Sequence, residues 1–464
     1  MQVTKGPNTE RPTASESASP NGTQAASAPA SVARTTVVWF PGFGPGSQSN
    51  QVLAEADFVI RYNATNRDNI NLQLSLISND LDNSLLVQQA DVVGPVDIQS
   101  PANVPTSLLG LNDEIARNKT DLTAYPPALL GTFKDSAGQY DALPYVEYPA
   151  FIFYNRDLFK TASLPDLPTQ VGEKYMGADW TWDELATIAR RLTLDAWGKN
   201  STEAGFNASR IKDYGFDTQG IDLRRFSTAF GAGSYVAADG KTAQIPPVWE
   251  QAWKWYYDAM WTSHFAPTSA ERSAVSLGGV TQTGRVAIDL AWAWAINSFG
   301  PVDASGNPIS SPAPAYKHWN MGILPSNGGV TTDPIDTYTF VLNKNSKNPD
   351  SAFKAMLAIM SDPTLMSSYG GMPANPSLQP AYFQTAQATV DKQFTNNPIS
   401  WSVLTEMAKY AGSPPFDAPM PNYFKAATDD QALYTELQSK GGLNLDSEIA
   451  KFKAKLQADF NSTG

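Results

Sequence analysis

Hydrophobic and polar residues alternate along this chain in short blocks whose period keeps changing, the pattern of strands interleaved with helices. Thr35–Phe40 (TTVVWF) is a β-branched and aromatic run that stops at Pro41-Gly42, as a buried strand feeding a glycine-rich loop would. Gln51–Tyr62 then carries helical spacing, and Ile70–Ile77 (INLQLSLI) alternates with a period of two. Ala90–Gly94 (ADVVG) reads as another buried strand ending at a Gly-Pro loop. Strand, helix, strand, strand at these intervals predicts an α/β fold with parallel strands and loops at their carboxyl ends.

Farther on, Thr181 and Glu184 predict a capping box, with Leu185, Ile188, Ala189 and Leu192 forming the apolar face behind it. Pro246-Pro247 open a helix bearing Trp249, Ala252, Trp253, Tyr256, Tyr257 and Met260; at that spacing the aromatic stripe reads as core. Asn348 and Pro349 start a third helix that buries Phe353, Met356, Leu357 and Met360. The chain ends in an amphipathic helix with Ile449, Phe452, Leu456 and Phe460 on one side. Two glycine motifs lead nowhere chemically. Gly42-Phe-Gly-Pro-Gly46 lacks a phosphate-binding lysine, and Gly240-Lys-Thr242 has Tyr235 where a P-loop needs glycine. Asp239-Gly240 is instead a hairpin turn between Tyr235-Val236 and Ala243–Ile245.

Composition narrows the function classes. With 464 residues there is room for two lobes with separate cores. A net charge of −12 and no basic stripe make nucleic acid and anionic membrane poor partners. The chain has no cysteine, which excludes disulfides, thiolate chemistry and zinc–cysteine sites. No run approaches the roughly 18 uncharged apolar residues that span a bilayer. Residues 3–34 are Ser, Thr, Ala, Pro and Asn with almost no large apolar side chains, so residues 1–34 read as a disordered tether. Only two histidines exist, His264 and His318, without metal-ligand spacing, and there is no Gly-x-Ser-x-Gly elbow. Neither catalytic residues nor a metal or cofactor are expected. A carboxylate pair for glycoside hydrolysis is a spatial feature, so a secreted glycosidase or polysaccharide-active enzyme stays open as the alternative.

The most unusual stretch is Leu143–Phe159, LPYVEYPAFIFYNRDLF. A carboxylate inside such an aromatic run is costly to bury unless something pairs with it. Aromatic faces beside a carboxylate and tyrosine hydroxyls suit a sugar, which has apolar C–H faces and polar edges. By residue type alone, Glu147 could equally mark a buried strand with an edge glutamate.

The order of the parts adds to this reading. After the proline-rich aromatic approach come Tyr154-Asn-Arg-Asp-Leu-Phe159 and a helix start at Trp180-Thr-Trp-Asp-Glu-Leu185. Gly284-Arg-Val-Ala-Ile288 precedes Trp292-Ala-Trp294, and Lys344-Asn-Ser-Lys-Asn-Pro-Asp350 opens a helix at Ala352-Phe353. From about Thr35 onward the chain resembles the extracellular solute-binding proteins of ABC importers, in the carbohydrate-binding family that includes maltose-binding protein. The resemblance implies a two-lobed periplasmic-binding-protein-like fold, each lobe a mostly parallel sheet flanked by helices, with a ligand cleft between. Residues 35–146 plus about 340–388 would form the first lobe, and 149–336 plus about 389–464 the second.

The same resemblance implies site residues. Glu147 falls where the family places an acceptor for sugar hydroxyls, flanked by Tyr145 and Tyr148. Trp292 falls at the stacking tryptophan, with Trp294 two residues on, and Asp97 where the first lobe offers a carboxylate. Phe43 suggests stacking in the first loop, Asp336 and Tyr338 lie in the second crossover, and Tyr423 falls in a segment that supplies a cleft aromatic. Many relatives have a glycine pair where this chain has Asp336-Thr-Tyr338. The implied partners are a neutral carbohydrate and ABC transporter permease subunits, with the protein monomeric, extracellular or periplasmic, and held at the membrane only through a lipid anchor. Met1 would then stand in place of a removed signal and anchor.

Overall fold

The structure is a computed structural model, which describes residues 33–41, 49–75, 89–97, 108–134, 137–218, 221–274, 284–299, 318–393, 397–416 and 420–462. Strands β1 (Thr35–Phe40), β2 (Ile70–Leu74), β3 (Val92–Asp97), β4 (Leu143–Tyr148) and β5 (Ala150–Asn155) come first. They are followed by β6 (Lys174–Tyr175), β7 (Ala178–Asp179), β8 (Leu194–Asp195), β9 (Ile211–Asp217) and β10 (Val286–Trp292). The last are β11 (Trp319–Gly322), β12 (Asp336–Leu342) and β13 (Met372–Pro373).

These strands form two main sheets, one in each lobe. The six-stranded sheet of the first lobe has the order β13-β4-β12-β3-β1-β2, and the five-stranded sheet of the second has β11-β5-β10-β9-β8. The two-lobed α/β plan expected from the sequence is present, but both sheets are mixed rather than mostly parallel. Parallel pairing is confined to β1–β2, β1–β3 and β9–β10. β12 enters the first sheet from the other lobe and runs against both β3 and β4, and β5 leaves the first lobe to run against β10 and β11.

Local signals explain where elements stop. The Asn155 side chain accepts from the Asp157 and Leu158 amides at 2.9 and 3.2 Å, which ends β5 and starts the helix Arg156–Thr161. Thr181 accepts from the Glu184 amide at 3.2 Å and starts the helix Trp182–Leu192, whose Leu185, Ile188, Ala189 and Leu192 are buried. Asn348 occupies the cap of the helix Pro349–Met360 without a side-chain hydrogen bond, so Pro349 at its first position carries the start signal. Leu357, expected inside that helix's core face, is only partly buried. The stripe on the helix Pro247–Trp261 is core as expected: Trp249, Trp253 and Tyr256 are fully buried.

The chain passes between lobes at three places. The first is Pro149, between β4 and β5. The second is residues 323–335, between β11 and β12. The third lies between the helix Gln379–Gln393, which packs on β13, and the helix Ser402–Met407, which packs on β5. One hydrophobic cluster runs from Trp39 through Tyr148 and Ala150 to Leu456, so apolar packing continues across the passage points. Among the described residues, no helix is long and apolar enough to cross a membrane.

Candidate functional site

β4 ends where the first crossing begins, and Glu147 stands on its last turn of ladder, opposite Thr337 of β12 and Met372 of β13. Its side chain reaches a cavity of about 460 Å³ that lies between the lobes. Pro126, Leu129 and Gln379 wall this cavity from the first lobe, Thr405, Lys409 and Ser413 from the second, and Ile335 and Thr337 from the second crossing. Glu147 is 6% exposed, and among the described residues nothing hydrogen-bonds its carboxyl. Burial pushes that carboxyl up to about 8. A carboxyl held out of bulk water without a described partner, at the wall of a cavity, has hydrogen-bonding capacity that the chain leaves unused.

The other expected residues fall into three groups. Tyr145 and Tyr148 are core residues of the first lobe. Tyr145 packs edge-on against Phe340 and Tyr369 at centroid distances of 5.1 and 6.0 Å, and its hydroxyl is buried without a partner. The Tyr148 hydroxyl donates to the Tyr369 carbonyl at 3.0 Å. Trp292, expected to offer a stacking face, is completely buried and does not line the cavity. Its indole N–H donates to the Pro334 carbonyl at 2.6 Å, and the next residue, Ala293, donates its amide to the Pro149 carbonyl at 3.1 Å. The end of β10 therefore holds two of the crossings at once. Trp294 lies parallel to Trp292 at 6.5 Å and is the half-exposed member of the pair.

Asp336 and Tyr338 belong to the second crossing. Asp336 is buried and accepts from the Arg225 guanidinium, Nε at 3.3 Å and Nη2 at 3.2 Å, while Arg225 also reaches Asp222 at 2.6 Å. Asp222 is itself the cap of the helix Leu223–Thr228 and is held below the usual carboxylate range; burial opposes that, and Arg225 and Arg224 outweigh it. Tyr338 packs against Tyr148 with ring centroids 4.7 Å apart and sits opposite Asp97 of β3 in register. Tyr423 is half-exposed, with the Arg224 guanidinium 5.4 Å above its ring and an Arg224 N–H donated to its phenol oxygen at 3.4 Å. Phe43 lies outside the described residues, as does the Asp97 side chain.

The structure thus gathers Tyr145, Glu147, Tyr148, Trp292, Asp336 and Tyr338 around the crossings, while Tyr423 lies against Arg224, the neighbour in sequence of Arg225. Lys409, Gln379 and Thr405, all on the cavity wall, carried no signal in the sequence. Lys409 rests on Glu406 at 2.7 Å, so its charge is already matched. The Arg225 contact was signalled only by Asp222 followed by two arginines, which local spacing cannot connect to Asp336 111 residues away. Among the described residues, no group of three or more histidines or carboxylates could hold a metal ion. His318 pairs instead with Asp157 at 2.9 Å.

This arrangement can be set beside known proteins. The sequence model of the bacterial extracellular solute-binding proteins matches residues 78–362, more than half of the chain. No curated protein sequence matches. Among solved structures, UspC from Mycobacterium tuberculosis superposes with a TM-score of 0.62 at 19% identity, covering 91% of this chain and 100% of that one. The substrate-binding protein Lmo0181 from Listeria monocytogenes, in complex with cycloalternan, gives 0.65 at 16% identity over 93% and 100%. Maltose-bound MalE3 from T. maritima gives 0.59 at 16% identity over 91% and 99%. At these identities the structural likeness speaks for the fold.

Proposed function

The chain belongs to the bacterial extracellular solute-binding proteins, which bind rather than transform their ligands, and from that premise we propose that it captures a neutral carbohydrate between its lobes and passes it to an ABC transporter permease. The single observation that carries the proposal is the cavity between lobes with Glu147 unpartnered at its wall. Hydrogen bonds between sugar hydroxyls and that carboxyl would supply the partners the protein withholds. The cavity's charges also favour a neutral ligand. Lys409 is the cation among the described lining residues, and Glu406 already matches it.

Contacts to both walls would favour the closed over the open arrangement, because only differential contacts shift such an equilibrium. Around Glu147, we assign Trp294, Tyr338 and Tyr423 as further ligand contacts; Phe43 and Asp97, expected from the sequence, stay in the assignment on that ground alone. Similar proteins bind cycloalternan or maltose, which supports an oligosaccharide as the ligand class.

A thermal-shift screen of the full chain against neutral mono- and oligosaccharides tests this. A true ligand at about a hundred times its Kd adds about 2.7 kcal/mol to the folded state and raises the melting temperature. Recovery of that sugar unchanged is expected. Turnover of the sugar would favour the glycosidase reading, and stabilisation by anionic solutes alone would overturn the neutral-ligand assignment.

A further inference from the structure

Three separate stretches of chain meet on Asp333, a buried residue of the second crossing. Its amide donates to the Tyr410 carbonyl at 2.8 Å and its carbonyl accepts from the Gly412 amide at 3.0 Å, binding the segment that follows the third crossing. Its carboxyl Oδ1 accepts at 2.8 Å from the amide of Ala150, the residue just past Pro149 in the first crossing. The other oxygen, Oδ2, is buried and has no hydrogen-bond partner. From these contacts we propose that Asp333 is a positioning residue of the cleft: it fastens the inter-lobe connections to one another beside Glu147, and so fixes where that side chain stands at the cavity wall.

The unpartnered oxygen makes a specific chemical demand. A buried carboxylate with one unpaired oxygen is costly, whereas a protonated carboxyl keeps one acceptor and loses the charge. Burial pushes Asp333 well above the usual carboxylate range; the Ala150 amide pulls the other way, and Glu147 from β4 and Asp336 from β12 push upward again. The cations nearby are committed elsewhere. Arg225 from the helix Leu223–Thr228 serves Asp336 and Asp222, and Lys409 from the segment before Tyr410 serves Glu406. The Tyr148 phenol is donated to Tyr369. Asp333 therefore holds its proton on Oδ2 while Oδ1 behaves as an amide-like acceptor. Asparagine reproduces that group; alanine removes it.

The proposal concerns the connections and not the ligand, so its test needs no sugar and its failure would leave the carbohydrate reading standing. The full chain, Asp333→Asn and Asp333→Ala are compared without added ligand by thermal unfolding from about pH 5 to about pH 9 and by amide hydrogen exchange of the peptide containing Ala150. A carboxyl protonated in the folded state and ionised in the unfolded one makes stability fall as pH rises. The wild type should therefore lose melting temperature toward high pH, and Asp333→Asn should lose less while keeping Ala150 protected. Asp333→Ala should speed exchange at Ala150 by about tenfold or more at every pH. The proposal is overturned if Asp333→Asn keeps the wild-type pH slope, if it unfolds or deprotects Ala150 as alanine does, or if alanine leaves that amide protected.

Discussion

Glu147 and Asp336 lie one residue out of step on the β4–β12 ladder, Glu147 opposite Thr337 and Asp336 opposite Tyr148, so their side chains leave opposite faces of the sheet and the protein treats their charges in opposite ways. Asp336 is buried against the guanidinium of Arg225, which reaches over from the second lobe. Glu147 is buried as deeply and receives no described partner. A protein can satisfy a buried carboxylate at this junction and does so for one of the two. The other has no described hydrogen-bond partner and lines the cavity. The difference separates a carboxyl tied to the second lobe from one left open at a cavity wall, a distinction that residue type alone does not carry.

The comparison can be broken most severely from behind. Trp292→Ala removes a fully buried indole and its bond to Pro334, and should cost about 3–5 kcal/mol, visible as a large drop in melting temperature. Such a loss would show that Trp292 serves the junction's core; a folded variant of unchanged stability that no longer binds sugar would return it to the ligand. Next in size is Asp336→Ala, which strips Arg225 of one of two carboxylates. Breaking a buried pair costs about 3–5 kcal/mol when the survivor is stranded, but Asp222 still holds Arg225, so about 2 kcal/mol is expected in chemical denaturation. A loss below about 0.5 kcal/mol would mean the Asp336 pair holds nothing.

Glu147→Gln should act through pH instead. The carboxyl titrates at about 8 in the folded protein and near its ordinary value of 4.5 when unfolded. The folded state thus keeps a proton that the unfolded chain has lost, and stability falls as pH rises between those values, by at most about 1.4 kcal/mol per unit. Glutamine should flatten that fall between about pH 5 and about pH 8 while weakening sugar binding. An unchanged slope would place the titration elsewhere, at Asp333 or at Glu55, which burial raises to about 7 despite a hydrogen bond from Tyr369. Smallest of all, Lys409→Ala should lower the melting temperature only slightly, since its ammonium is exposed and buried Glu406 keeps the hydrogen bond from the Val171 amide at 3.2 Å.

Much of the fold was readable because periodicity and punctuation are local. The capping threonine at 181, the aromatic helix behind Pro246-Pro247 and the strand at Thr35–Phe40 all lie where their spacing put them. What the sequence did not show was depth. An aromatic segment such as Leu143–Asn155 reads alike whether a tyrosine faces a cleft or a core, and Tyr145, Tyr148 and Trp292 proved to face the core. Nor could spacing pair Asp333 with Ala150, or bring Lys409 opposite Glu147, because those meetings depend on three passages of the chain between lobes. Glu147 was legible for an energetic reason: a charge in an apolar run had to be explained by something outside the run.

The end of β10 also sets the mechanics of the junction. Ala293 grips the first crossing at Pro149 and Trp292 grips the second at Pro334, both from the second lobe. Those two points travel as one rigid piece with the five-stranded sheet. At these two passages, a rotation of one lobe against the other would fall on the far side of the grips, on the backbone torsions of Glu147–Tyr148 and Ile335–Thr337. The axis of swing is displaced toward the first lobe, and Glu147 rides close to it. A side chain near that axis moves least, so under the proposed carbohydrate reading Glu147 would give the ligand one fixed point of attachment.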